Sequence, residues 1–180
     1  KEALEKFETL KKDIAELHSL WNNVEPNLIS ALASQNSINA FEDALNTLTI
    51  SIEIPDVHRN LLSLIELNKV LPDFYELYDT KENPDLDRLR YAIKKIILVS
   101  EKEDYEKIES VFDYLNSQWS KVKPKLKEDS LSYINKFDFA LSDLKTAIDK
   151  KNKIIINTKS IVIIKILDEL EESLENSKNQ

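Results

Sequence analysis

Two tryptophans stand in a shared context. Trp21 and Trp119 each lie five residues before a proline, Pro26 and Pro124, in the pattern Trp-x-x-Val-x-Pro-x-Leu. A large aromatic beside a proline kink can line a ligand pocket between helices. It can also simply fill a core, because the same positions fall on an apolar seam. Trp21, Pro26, Trp119 and Pro124 are the candidate pocket residues.

The other residue types capable of chemistry form no set. His18 and His58 are the two histidines. On the helices read below, they stand about 12 positions, or ~18 Å of helix, apart. No shared metal or haem site is expected at that separation. A carboxylate-bridged metal centre needs Glu-x-x-His on two helices, and none occurs. The chain has no Cys and no Met, which removes thiolate chemistry, c-type haem attachment and Met ligation. Asp73, Glu76 and Asp79 form one acidic edge, and Asp168, Glu169, Glu171, Glu172 and Glu175 another. Such edges read first as solvated faces and second as weak divalent-cation sites. Without any Gly there is no nucleophile elbow and no phosphate-cradling loop. The sequence therefore assigns no catalytic residue, no cofactor and no metal ligand, and the chain reads as non-enzymatic. Tyr75, Tyr78, Tyr91, Tyr105, Tyr114 and Tyr133 gather around the middle of the chain. They suit core edges, or a partner surface near the fourth helix.

Helices must position all of these. Phe7, Leu10, Ile14, Leu17, Trp21, Val24 and Leu28 follow steps of three and four, which is one apolar seam on a long helix. The pattern returns 98 residues later at Tyr105, Ile108, Phe112, Leu115, Trp119, Val122 and Leu126. With a shift of 96, Phe41, Ala44, Leu45, Leu48 and Ile52 meet Phe137, Ala140, Leu141, Leu144 and Ile148. Leu67, Leu71, Phe74 and Tyr78 then meet Ile163, Leu167, Leu170 and Leu174. A repeat of this length reads as a tandem duplication.

The expected fold is all-α, an elongated pair of up-down-up bundles with about seven helices: 2–33, 37–53, 55–80, 85–100, 102–128, 131–150 and 153–176. The domain reading is a first three-helix unit over 1–82, a connecting helix over 83–101 and a second three-helix unit over 102–180. Asn83-Pro84 and Pro55 mark helix starts, and Ser100 with Glu103 reads as a capping box. Pro26, Pro72 and Pro124 fall inside helical patterns and should bend them.

The 180 residues carry a net charge of −8. An acidic chain whose Lys121, Lys123, Lys125 and Lys127 fan around a helix offers nucleic acid no basic stripe. No apolar run reaches the ~20 residues of a membrane span. The sequence starts at Lys1 rather than Met, so a trimmed leader or signal segment is expected upstream.

The Trp-x-x-Val-x-Pro-x-Leu repeat followed by Phe-x-x-Ala-Leu-x-x-Leu resembles uncharacterised helical extracytoplasmic lipoproteins of low-GC Firmicutes. The resemblance implies export and a lipid anchor upstream of Lys1, with cytoplasmic residence as the other reading, and it implies no activity. The expected function is a binding or scaffold protein for an unidentified protein or small molecule. The alternative is a carrier or sensor of a small ligand or metal near the Trp/Pro kinks.

Overall fold

The computed structural model describes residues 2–78, 80, 83–127 and 130–178, and the side chains of 7–176 among them. It is all-α. The helices are α1 (Glu2–Ser30), α2 (Gln35–Ser51), α3 (Val57–Asn68), α4 (Leu71–Tyr75), α5 (Pro84–Ser100), α6 (Tyr105–Val122), α7 (Leu131–Asp149) and α8 (Lys153–Lys178), with a 3-10 turn at Lys123–Lys125. Among the described residues no helix is long and apolar enough to cross a membrane.

The chain divides into two compact units, Lys1–Pro84 and Asp85–Gln180. In unit 1, α1 and α2 run antiparallel: Lys11 pairs with Glu53 (3.0 Å) and His18 with Thr49 (2.8 Å). The segment α3–α4 returns alongside α1, so the Tyr78 hydroxyl donates to the Asn27 carbonyl (3.3 Å). The core holds Ile14, Trp21 and Leu28 from α1, Ile38, Phe41, Leu45 and Leu48 from α2, and Leu67 and Phe74 from the return.

Unit 2 is a four-helix bundle, because α5 packs into it. Arg90 on α5 reaches Asp168 (2.8 Å) and Glu171 (2.9 Å) on α8. Tyr91 meets Tyr114 of α6 edge-on, with ring centres 5.9 Å apart. The Ser100 hydroxyl bridges the Ile97 carbonyl (2.7 Å) and the Asn157 side chain (2.5 Å). Asp85 pairs with Lys125 (2.6 Å). The separate connecting helix of the sequence reading is thus a structural member of the second unit. Its Leu86, Leu89, Ile93 and Ile96 are fully buried there.

Several helix ends differ from the sequence expectation for identifiable reasons. The 55–80 helix is two helices. Pro72 has no N–H and cannot continue α3, so the chain tightens through i→i−3 bonds at Val70 and Asp73 before α4. Pro55 lies outside α3, whose cap is Asp56, accepting from the Arg59 N–H (3.1 Å). The Ser100–Glu103 capping box does not form. Ser100 ends α5, and Asp104 caps α6 through the Lys107 N–H (3.1 Å). The two shared prolines behave differently: α1 continues through Pro26 to Ser30, whereas α6 stops at Val122 and Pro124 sits in the 3-10 turn.

A chain without glycine must still end its helices. Leu32 (φ 66°) and Lys151 (φ 52°) take the left-handed conformation just after α1 and α7. The following amides close the helix ends, Ala33 N–H onto Leu28 O (2.9 Å) and Asn152 N–H onto Ala147 O (3.2 Å). A side chain at such a position costs roughly 1–2 kcal/mol that glycine avoids. Leu32 is 87% exposed, so its side chain contributes little packing. Leu32→Gly and Lys151→Gly are each expected to stabilise the protein by about 1 kcal/mol, raising the melting point by a few degrees in a thermal melt. A loss of stability in both variants would refute this account of the helix ends.

Candidate functional site

The four candidate pocket residues come out as two buried tryptophans and two exposed prolines. Trp21 stacks on Phe41 at 4.2 Å and 28°. Trp119 lies on Phe137 at 4.1 Å and 31°. Phe41 and Phe137 are partners under the 96-residue shift, so both units use one aromatic pair to fill the core beside the proline.

The polar edges of the two indoles differ. Trp119 Nε1 donates to Asp138 Oδ1 (2.7 Å), and Asp138 Oδ2 pairs with Lys123 (2.5 Å). Burial acts to raise the Asp138 pKa, but the hydrogen bonds from Lys123 and Trp119 outweigh it and hold the carboxyl below its ordinary value. At the matching positions of unit 1 stand Glu42 for Asp138 and Glu25 for Lys123. Two carboxylates cannot form that bridge, and the buried Trp21 Nε1 has no hydrogen-bond partner.

Several of the remaining sequence candidates are held in contacts within their own unit. Thr49 Oγ1 donates to the Leu45 carbonyl (2.8 Å), so its proton is committed and His18 Nε2 is the donor in their 2.8 Å contact. Asp168 and Glu171 hold Arg90, Glu169 pairs with Lys136 (3.2 Å), and Asp73 accepts from Ser37 (3.0 Å). Asp79 lies outside the described residues. No group of three or more metal-ligating side chains occurs among the described residues. The tyrosines do not form one surface: Tyr91 is buried, and Tyr105 donates to the Lys151 carbonyl (2.8 Å).

The feature that sequence reasoning missed is an apolar groove in unit 1. Its volume is about 370 Å³. Ile14, Leu48 and Ile52 form the floor, Phe7 and Leu10 of α1 one wall, and Val57, Leu61 and Leu64 of α3 the other. Asn60 also lines it, and its Oδ1 is buried without a partner. Leu61 and Leu64 are each 42% exposed and Val57 65%. A second depression, over Ala40, Ala44 and Val70, is edged by Ser37, Glu66, Lys69 and Asp73.

The groove follows from the helix count. In unit 2 the face between α6 and α8 is covered by α5, and Ile108, Leu115 and Val122 are buried. Their partners under the 98-residue shift are Leu10, Leu17 and Val24. Leu10 and Leu17 are only half-buried, and Val24 is 45% exposed against 3% for Val122. Among the described residues of unit 1 no helix covers that face. The charge also divides: residues 1–84 contain 15 Asp/Glu against 7 Lys/Arg, and residues 85–180 contain 18 of each. The net −8 therefore belongs to unit 1. This asymmetry was the available sequence signal.

Two outcomes test this geometry. Trp119→Ala is expected to cost about 3–5 kcal/mol in urea denaturation, as a core aromatic should. A folded variant with near-native stability would place Trp119 in an open pocket instead. The carboxylate of Asp138 is expected to titrate below the ordinary Asp range by NMR. Its contribution to stability is present above the ordinary Asp pKa near 3.9 and is lost as the pH falls through the depressed folded value. In Trp119→Phe, which cannot donate, that titration should move back up. Against known proteins, no family model, curated protein or solved structure matches this chain.

Proposed function

We propose that the protein is a non-enzymatic binding module, exported and tethered at the cell surface, whose first unit takes an apolar surface in the groove between α1 and α3. One observation carries this reading: the continuous apolar groove of about 370 Å³ with exposed leucines on its wall. A largely apolar concavity holding one orphaned polar atom has the composition of a ligand or partner site. Asn60 Oδ1, buried at the groove lining, is an acceptor without a partner. The two units are read as diverged copies, a reading supported by the 98- and 96-residue shifts and by the matching Trp–Phe stacks. Export and tethering rest on the resemblance to extracytoplasmic lipoproteins.

The orphaned acceptor in the groove also favours the carrier reading, in a new place. A small apolar ligand with one donor would fit here rather than beside Trp21 or Trp119, whose rings are packed on phenylalanine.

The uncharged dye Nile red tests the groove. The protein is expected to bind it with a blue shift, and the double variant Leu61→Asn/Leu64→Ser should weaken binding at least tenfold while keeping its helical circular dichroism. Equal binding by variant and wild type would remove the groove from the proposal. Cell fractionation tests the surface assignment, with the native protein expected in the membrane fraction and released by detergent. Recovery in the soluble cytoplasm would overturn it.

A further inference from the structure

We infer that the occupant of the unit 1 groove is a cationic amphipathic α-helix of a partner protein, lying between α1 and α3 as α5 lies between α6 and α8. This rests on the groove being a binding site, as proposed above.

Unit 2 shows what such a face accommodates: a 17-residue helix. In unit 1 the exposed or half-buried apolar positions of α1 extend from Phe7 to Val24. That run is ~26 Å of helix, about the length of a 17-residue helix. A compact ligand would fill only the lower part and leave Leu20 and Val24 in water, both more than 40% exposed. A helix would cover the strip from end to end, with apolar residues at three- and four-residue steps.

The sign of the partner's charge follows from the substitutions between units. Val111 is buried on α6, and Tyr114 meets Tyr91 of α5. Under the 98-residue shift their places on α1 are taken by Asp13 and Glu16, both exposed. On the opposite wall, Asn157 bonds Ser100 of α5 and Ser160 is fully buried. Their partners under the 96-residue shift are Leu61 and Leu64, so this wall is more apolar in unit 1. A helix seated there meets carboxylates along α1 and leucines along α3, and the whole unit carries the net −8. Lys or Arg along one flank and Leu or Ile along the other is the complementary pattern. Association should then weaken with salt.

The experiment uses the full chain and two synthetic 18-residue helical peptides with the same leucine face, one with lysine and one with glutamate elsewhere. Binding is read by fluorescence anisotropy of labelled peptide. The lysine peptide is expected to bind at least tenfold more tightly than the glutamate peptide. It should lose at least tenfold on Leu61→Asn/Leu64→Ser and several-fold on Asp13→Asn/Glu16→Gln. All four positions are exposed, so the variants should retain the wild-type melting curve. Lysine-peptide binding undiminished by Leu61→Asn/Leu64→Ser would show plain charge attraction and overturn the inference. Equal binding of both peptides would overturn the charge assignment. Nile red binding without binding of either peptide would leave the groove as a site for a small apolar ligand and refute the helix. A concentration-dependent dimer, dissolved by Leu61→Asn/Leu64→Ser, would make the occupant a second copy and refute the partner helix. Loss of both dye and peptide binding would remove the groove itself.

Discussion

An amphipathic helix must bury its apolar stripe, and the number of neighbours decides how much of the stripe is buried. This constraint organises both halves of the protein. The α1 and α6 seams carry nearly the same residues at the same spacing. Around α6, both α5 and α7–α8 close in, and Ile108, Leu115 and Val122 leave water altogether or nearly so. Around α1, among the described residues of the unit, α2 and α3–α4 do so. The inner residues Ile14, Trp21 and Leu28 are buried, while Leu10 and Leu17 are half-covered and Val24 is open. Burial of one apolar side chain is worth roughly 1.5–3 kcal/mol. A strip of several such residues left partly wet is a substantial unrealised gain.

Much of this fold was legible from spacing. The three-and-four steps of Phe7 to Leu28 and Tyr105 to Leu126 identify helices because only a helix brings those positions onto one face. The ends were less legible. Ser100 and Glu103 match a capping box in type and spacing, yet Ser100 is held in the last turn of α5 by Asn157, a residue 57 positions away. No local rule contains that contact. Pro26 and Pro124 share their neighbours and still differ, one inside α1 and one in a 3-10 turn. Beside Pro124, Lys123 and Lys125 are fastened to Asp138 and Asp85, whereas the matching Glu25 and Asn27 make no such ion pairs. The sequence reading left α5 as a separate connecting helix because a repeat search weighs only what recurs, and α5 does not recur within the chain.

The candidate site was legible in type but not in place. Tryptophan beside proline drew attention as a pocket, but the aromatic face that suits a ligand also suits phenylalanine, and each unit supplies one at about 4 Å. What the repeat could not convey is the fate of the indole N–H. In unit 2 it is satisfied by Asp138, itself neutralised by Lys123. In unit 1 the corresponding side chains are both glutamates, and the buried N–H goes without a partner. Such a group costs about 1–3 kcal/mol, offset here by stacking on Phe41 and a further contact with Phe74 at 5.8 Å. The glutamates Glu25 and Glu42, at the positions where unit 2 has Lys123 and Asp138, are among the carboxylates that make unit 1 acidic.

The difference between the two units on the groove walls argues against a merely neglected surface. A face without a covering helix is free of steric demands, and polar residues there would cost little and limit association. Unit 1 departs from that expectation. Where unit 2 has Asn157, bonded to Ser100 of α5, and the buried Ser160, unit 1 places Leu61 and Leu64 in partial contact with water. Along α1 the opposite occurs, with Asp13 and Glu16 in place of Val111 and Tyr114. An apolar groove with carboxylates at Asp13 and Glu16 farther along α1 is a poor design for solvent and a good one for an amphipathic, positively charged helix. The leucines then supply the burial that unit 2 obtains from α5, and the carboxylates select which helix can supply it.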